Sequence, residues 1–183
     1  MTDTPRLSPA ERAALLGIAR RAILRHLGAT GELPLPASGP LAEPRGAFVT
    51  IHVDGALRGC VGNFQPRGTL AETVARMAVS AAFDDPRFAP LRPDEVGGLR
   101  IAVSALLPAL RLEDRSALQV GEHGLLVRRG WNRGALLPKV AVEHGWDGPA
   151  FLKHACLKAG LPPAAADDPE TVIEVFGAEE FEE

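Results

Sequence analysis

Apolar and polar positions alternate along the segment from Gly46 to Gly62, on both sides of the dipeptide Asp54-Gly55. A period of two is typical of a strand with one buried face, and Asp-Gly suits the two-residue turn of a β-hairpin. The pattern therefore predicts a β-hairpin centred on this dipeptide. The pairs expected across the turn are Val53 with Ala56, Ile51 with Arg58, and Val49 with Cys60.

Helical spacing of apolar residues predicts three longer helices. Ser8 and Thr69 are each followed three residues later by Glu, which is the capping-box pattern that opens a helix. Gly160 follows the third apolar-periodic stretch, where it suits a helix end. The expected helices run from Ser8 to about Leu27, from Thr69 to about Phe83, and from Pro149 to Ala159.

The remaining apolar runs predict strands at 99–107 and 171–176, and a second hairpin over 122–138 with its turn at 130–134. Helices interspersed with hairpins indicate an α+β fold, with a mainly antiparallel sheet and packed helices. We expect one larger and one smaller, closely associated subdomain within a single domain over residues 1–183. The acidic residues 179–183 are expected to form a frayed, solvated tail.

Composition narrows the class of protein. The chain has 183 residues, 46% of them apolar, and a net charge of −3, so it is globular and long enough for a sizeable core. Its cations are scattered, which argues against nucleic-acid binding. It has no membrane-spanning apolar run and no signal-peptide pattern, so we expect a cytoplasmic protein. No cofactor motif or paired metal ligands occur, and we expect neither cofactor nor metal.

Cys60 is the first candidate for chemistry. If the second hairpin strand is regular, Arg58 points the same way, and a cation beside a thiol favours the nucleophilic thiolate. The alternative is a small buried apolar side chain, because the expected cross-strand neighbours of Cys60 are apolar. Gly59 leaves room for a ligand, or another backbone, to approach closely.

Four further side chains are candidates for ligand contact or catalysis. Arg58 and Arg87 suit bidentate binding of an anion, or structural ion pairs for which Asp85 is an available partner. Ser104 lies in a predicted strand without the Gly-x-Ser-x-Gly elbow of hydrolases, so a polar core residue is the default interpretation. His123 precedes a predicted strand. Three interpretations are open there: a general base for the Cys60 thiol, a metal ligand, or a surface residue whose hydrogen bonds are already made.

Six short motifs follow one another along the chain, and in this order they resemble the AMMECR domain family. They are LRGCVG at 57–62, DPRF at 85–88, VS at 103–104, HGL at 123–125, LLP at 136–138, and KAGL at 158–161. The resemblance extends over roughly residues 8–178. The family is called system protein A where it accompanies Memo-like and radical-SAM proteins, and it has no settled biochemical function.

The resemblance implies that the 85–88 loop lies near the first hairpin. It also implies that the LRGCVG segment at 57–62 lines a functional cleft. At two places this sequence departs from the family pattern, and both departures affect the rest of that cleft. Lys139 stands where the family commonly has Gln, so the ligand here is more acidic or the contact is lost. Residues 162–166 stand where the family tends to carry Trp, so one wall of a pocket near the C-terminus differs.

Two functions are compatible with the resemblance. In the first, the chain is an enzyme or enzyme subunit of a Memo-like and radical-SAM-associated system, with a cleft around 57–62 that takes an anionic ligand. Cys60 and His123 are then the catalytic candidates. The expected ligand contacts are Arg58, Gly59, Asp85, Arg87, Ser104 and Lys139. In the second, the chain is a non-catalytic binding or adaptor protein for a Memo-like partner.

Overall fold

The computed structural model describes residues 6–64 and 68–183, and it confirms the α+β fold. The helices are α1 (Pro9–His26), α2 (Leu70–Phe83), α3 (Pro138–Glu143) and α4 (Gly148–Lys158). The strands are β1 (Ala47–Val53), β2 (Ala56–Asn63), β3 (Leu99–Leu106), β4 (Leu110–Arg111), β5 (Gly124–Arg129), β6 (Asn132–Leu136), β7 (Val172–Phe176) and β8 (Ala178–Glu182). In the described part of the chain, no helix has the length and apolar character needed to cross a membrane.

The chain divides into two compact units. The larger unit comprises the described residues up to Leu106 together with Glu179–Glu183, and the smaller comprises Leu107–Ala178. The larger unit contains a four-stranded sheet in the order β2-β1-β3-β8, and the smaller contains a second sheet in the order β4-β7-β5-β6. Because β8 belongs to the first sheet, the end of the chain contributes to the same sheet as its first strands.

The core of the larger unit lies between its sheet and helices α1 and α2. Along β1, Ala47, Val49 and Ile51 are buried, and they alternate with partly exposed residues as the sequence pattern predicts. Capping boxes start both helices, at Ser8 for α1 and at Thr69 for α2. Each box satisfies backbone N–H groups that have no partner within the helix.

The first hairpin has the predicted turn but a different register. Val53 pairs with Ala56, yet Thr50 pairs with Cys60 and Ile51 with Gly59, because the register shifts between Ile51 and His52. Arg58 is the extra residue of this β-bulge, so the expected pairing of Val49 with Cys60 is wrong. Cys60 therefore shares a sheet face with Thr50, and the buried Val49 and Ile51 lie on the other face.

The smaller unit packs α4 against its sheet. Phe151 and Ala155 of α4 share a core with Leu125 and Val127 of β5. The turn between β5 and β6 is only two residues long, because Arg129 pairs with Asn132, so the expected turn over 130–134 is too wide. The expected hairpin ends at Pro138, and the structure has a six-residue helix, α3, beginning there that the sequence pattern did not predict.

The acidic C-terminal residues are not a frayed tail. β8 occupies an edge of the first sheet, and the side chain of Glu179 is almost completely buried. Its carboxylate accepts hydrogen bonds from the Leu7 amide, from Arg12 and from Arg45. The expectation was wrong because the acidic composition of 179–183 did not show that one of these carboxylates pairs with buried cations.

Candidate functional site

Strand β2 lies at an edge of the first sheet, and two side chains from the loop after α2 bind its free edge. The Cys60 amide donates to Asp85 Oδ2 at 2.9 Å, and Arg87 Nη2 donates to the Cys60 carbonyl at 3.3 Å. These two contacts replace the backbone partners that a neighbouring strand would offer. As the resemblance implied, the 85–88 loop lies against the first hairpin.

Asp85 and Arg87 form a forked ion pair. Arg87 Nε donates to Asp85 Oδ1 at 3.0 Å and Nη2 donates to Oδ2 at 2.7 Å, and the Arg87 amide also donates to Oδ1 at 3.1 Å. These bonds hold the pKa of the Asp85 carboxyl far below its usual range, against the opposing effect of burial. The same pairing raises the pKa of Arg87. The Asp85 carboxylate is therefore ionised, although only 3% of its side chain is exposed.

Gly59 is required by packing. A Cβ atom at this position would overlap the carbonyl oxygen of Ala81 in α2 and contact Ile51. The sequence predicted that a ligand or another backbone approaches Gly59 closely, and here the backbone of α2 does so. A ligand contact at Gly59 stays a prediction.

Arg58 is bound into the structure by four contacts. Its Nε and Nη2 donate to the two oxygens of Glu95 at 2.8 and 3.1 Å. Nη1 donates to the Ala89 carbonyl, and Nη2 also donates to the Pro90 carbonyl at 3.2 Å. The acidic partner is thus Glu95, whereas Asp85 was the partner considered from the sequence. Little donor capacity is left at Arg58 for a ligand.

The thiol of Cys60 lies beside the hydroxyl of Thr50, which donates to Sγ at 3.2 Å. Because the Cys60 N–H and C=O turn outward to Asp85 and Arg87, Thr50 and Cys60 form a non-hydrogen-bonded pair, in which side chains approach most closely. Cys60 is partly exposed, unlike Cys156, which is fully buried and whose thiol pKa is raised by burial. Thr50 was not predicted as a site residue, because its role depends on the shifted register.

Ser104 lies in β3, directly opposite Phe48 of β1. Phe48 pairs with Gly62 on the other side, so Ser104 shares the sheet face that carries Cys60. Its Oγ donates to Glu180 Oε1 at 3.2 Å. Ser104 is thus a buried, hydrogen-bonded strand residue, as the default interpretation held, and a ligand contact there stays a prediction.

His123 and Lys139 lie in the smaller unit, whereas the other predicted site residues lie in the larger one. His123 Nδ1 accepts a hydrogen bond from the Gln119 amide at 3.2 Å. In the neutral ring the proton is then on Nε2, so the nitrogen that could act as a base is already used in a local turn. Lys139 is the second residue of α3. Their catalytic and ligand-binding roles stay predictions.

Glu95 and Thr50 are the site residues that sequence reasoning missed. Glu95 lies in the short 3-10 helix Pro93–Gly98, and its carboxylate accepts a hydrogen bond from the Arg92 amide. Its contact with Arg58 has no local signal in the sequence, because the two residues lie 37 positions apart. Within residues 6–64 and 68–183, no three His, Cys, Asp or Glu side chains come together as a metal site.

Comparisons with known proteins identify the family. The sequence model of the AMMECR1 family matches residues 16–181. A protein from Methanothermobacter thermautotrophicus is 44% identical, over 97% of this chain and 96% of its own length. A protein from Methanopyrus kandleri is also 44% identical, over 97% of this chain and 91% of its own. The chain belongs to the AMMECR1 family.

A solved structure supports the fold. The crystal structure of an uncharacterized protein from Pyrococcus horikoshii matches with a TM-score of 0.79 and 41% sequence identity. The match covers 92% of this chain and 89% of the other. A relative of this similarity shares both the family and the fold with this chain. Because it is described as uncharacterized, it does not indicate an activity.

Proposed function

We propose that this chain is a component of an enzyme system with Memo-like and radical-SAM proteins, and that it binds an anionic ligand beside Cys60. The family resemblance supports the system. One observation supports the ligand site: the Arg87 side chain is 56% exposed, yet it is held by the buried Asp85 and donates to the Cys60 carbonyl.

The chemistry of Arg87 suits this role. Its Nε and Nη2 groups bind Asp85 and Cys60, while its Nη1 makes no hydrogen bond with any residue in the described ranges. Two N–H donors thus remain for a carboxylate or phosphate oxygen. The guanidinium carbon also lies 5.3 Å from the centre of the Phe88 ring, which supports its plane. The cation is therefore positioned before a ligand arrives.

Under this proposal, Cys60 meets the ligand as a nucleophile or as a polar contact. The Thr50 hydroxyl that donates to Sγ holds the sulfur in place on this face of the sheet. His123 remains the base of the catalytic version of the proposal. The bond from Gln119 to its Nδ1 weighs against that version, so binding is the part that the geometry supports best.

A second function, a non-catalytic adaptor for a Memo-like partner, is favoured by a separate observation. Trp131 is 97% exposed at the tip of the β5–β6 hairpin. An aromatic side chain of this size contributes nothing to the fold when it is fully solvated, and such residues are typical anchors of protein interfaces. Ligand binding beside Cys60 and adaptor activity through Trp131 involve different units of the chain.

Alkylation of Cys60 by iodoacetate, which is anionic, and by iodoacetamide, which is neutral, tests the anion site without knowledge of the ligand. A cation about 4 Å away favours the anion by about 1 kcal/mol even in water, which is roughly fivefold in rate. We expect the iodoacetate-to-iodoacetamide rate ratio at Cys60, read by mass spectrometry, to exceed that of glutathione by at most about this factor, because the paired Asp85 carboxylate offsets part of the attraction. Arg87→Met should abolish the excess, and Arg87→Lys should keep part of it.

Arg92→Met is the matched control, since Arg92 is exposed and pairs with Asp94 of its own turn. Cys156 provides a buried thiol in the same sample, and we expect it to react much more slowly than Cys60. Millimolar pyrophosphate or citrate should slow alkylation of Cys60 in the wild type but not in Arg87→Met. A rate ratio that Arg87→Met leaves unchanged would show that Arg87 does not bind anions beside Cys60.

A further inference from the structure

Strand β2 has one pair of backbone groups without a partner at its free edge. Cys60 turns its N–H and C=O to this edge, so Gly62, two residues further along the strand, turns its own groups the same way. Gly62 is partly exposed, and its N–H and C=O form no hydrogen bond with a residue that the structure describes. Unpaired groups at a sheet edge are where an extended peptide can add as a further strand.

The ion pair of Asp85 and Arg87 limits how far such a strand can extend. Its two side chains already bind the N–H and the C=O of Cys60. A peptide that pairs with Gly62 therefore has to end, or turn away, before it reaches Cys60. The edge beside Gly62 thus fits the end of a chain better than the middle of one.

The charge of Arg87 selects which end of a peptide fits. In an antiparallel addition, the peptide runs from Gly62 toward Cys60, so its C-terminal carboxylate approaches Arg87. In a parallel addition, the cationic N-terminus would lie there instead. The Asp85 carboxylate is buried, so the exposed end of the ion pair is the cation. Two N–H donors of Arg87 Nη1 suit a carboxylate and repel an ammonium group.

The spacing along the strand is also suitable. Gly62 and Cys60 are two strand residues apart, which is about 6.6 Å. The carboxylate of the residue that follows the one paired with Gly62 therefore reaches Arg87. The residue paired with Gly62 is then the last but one of the peptide.

The surroundings of Gly62 predict the side chain at that position. Directly opposed residues of an antiparallel pair share a sheet face, and on this face the Phe48 ring fills the space that a Cβ atom of Gly62 would occupy. Phe64 packs edge-on against Phe48, with ring centroids 4.7 Å apart. An apolar side chain is therefore expected at the last-but-one position of the peptide.

We infer that the anion of the proposed function is the C-terminal carboxylate of a peptide or protein. The peptide adds to β2 as an antiparallel strand, pairs with the backbone of Gly62, and binds Arg87 through its carboxylate. This inference rests on the proposed anion site and names the class of its ligand. Cys60 then lies beside the end of the bound chain.

Short fluorescent peptides with free C-termini, varied at their last two positions, test this inference by fluorescence anisotropy with the whole chain. We expect the tightest binders to have an apolar last-but-one residue. Amidation of their C-terminus should weaken binding at least about tenfold, because it removes charged hydrogen bonds to Arg87.

N-methylation tests the pairing with Gly62 in the same peptides. Methylation of the last-but-one amide removes the N–H that bonds the Gly62 carbonyl, and it should also weaken binding about tenfold. Methylation of the preceding amide is the matched control, because that N–H points away from β2. These changes are made on the peptide, so the result does not depend on the folding of a variant.

Arg87→Met should remove the preference for a free C-terminus over an amidated one, and Arg92→Met should keep it. Equal binding of free and amidated peptides would overturn the inference, as would the absence of any peptide that binds. If the Arg87-dependent alkylation of Cys60 by iodoacetate is observed while either of these results is obtained, only the peptide ligand is refuted. If that dependence is absent as well, the anion site itself is refuted.

Discussion

At the scale of single residues, the site depends on one buried carboxylate. Asp85 accepts the Cys60 amide and both arms of the Arg87 fork, so it joins the edge of β2 to the loop after α2. Hydrogen bonds to a buried carboxylate are stronger than those between neutral groups. The position of the exposed Arg87 therefore depends on the buried side chain of Asp85.

Asp85→Asn should lower the free energy of unfolding by about 2–3 kcal/mol at pH 7, since it weakens hydrogen bonds made to a buried charge. The pKa of Asp85 is lowered in the folded chain, so its stabilisation is fully present above the carboxyl pKa of the unfolded chain, about 3.9. It is lost as the pH falls further. Urea unfolding of both proteins between pH 7 and pH 3 should therefore show the difference shrinking below about pH 4.

Asp94→Asn is the control for this pH series, because Asp94 pairs with Arg92 at the exposed surface. It should leave the unfolding midpoint nearly unchanged at every pH. A stability difference between wild type and Asp85→Asn that stays constant from pH 7 to pH 3 would contradict the assigned ionisation of Asp85.

At the scale of elements, Arg58 connects the hairpin to the segment that leads into β3. The bulge gives Arg58 no cross-strand partner in β1, and its guanidinium binds Glu95 and two carbonyls of the preceding loop. A bulge locally twists an edge strand and re-aims a side chain. The LRGC segment is thus shaped by contacts with residues 31 to 37 positions further along the chain.

This distance in sequence explains what could be predicted. The helix starts at Ser8 and Thr69 were predicted because a capping box involves residues only three positions apart. The hairpin turn at Asp54-Gly55 is local for the same reason. The bulge, and with it the Thr50 contact of Cys60, was missed because it depends on non-local partners. Proximity of the Asp85 loop to the hairpin was expected only through the family resemblance.

Arg58→Met should free the loop before β3 while leaving most of the hairpin paired. It leaves the half-buried Glu95 carboxylate without its cation, so we expect a loss of roughly 1–3 kcal/mol in unfolding free energy. Hydrogen exchange followed by mass spectrometry should show faster exchange in peptides covering 86–98 than in those covering α1. Arg92→Met, in the same loop, should change neither quantity. Unchanged exchange in Arg58→Met would mean that the ion pair does not hold the loop.

At the scale of the whole molecule, the end of the chain completes the larger unit. Glu179 of β8 binds Arg45 and Arg12, and it accepts the amide of Leu7 near the chain start. Arg45 Nη1 and Arg12 Nε are buried with no hydrogen-bond partner among the described residues, and Glu179 supplies the negative charge that pairs with both cations. The sequence showed an acidic run but not which acid is buried, because its cations lie more than 130 residues earlier.

Glu179→Gln should therefore destabilise the protein by about 3–5 kcal/mol, because it leaves the buried Arg45 without a counter-charge. Glu182→Gln, an exposed residue of the same strand, should be nearly neutral. Urea unfolding followed by Trp fluorescence and by far-ultraviolet circular dichroism measures both variants. A frayed tail would instead make the two substitutions equally harmless.

The same argument predicts that a fragment ending at Leu106 unfolds more readily than the full chain, since it contains Arg12 and Arg45 but not the carboxylate that neutralises them.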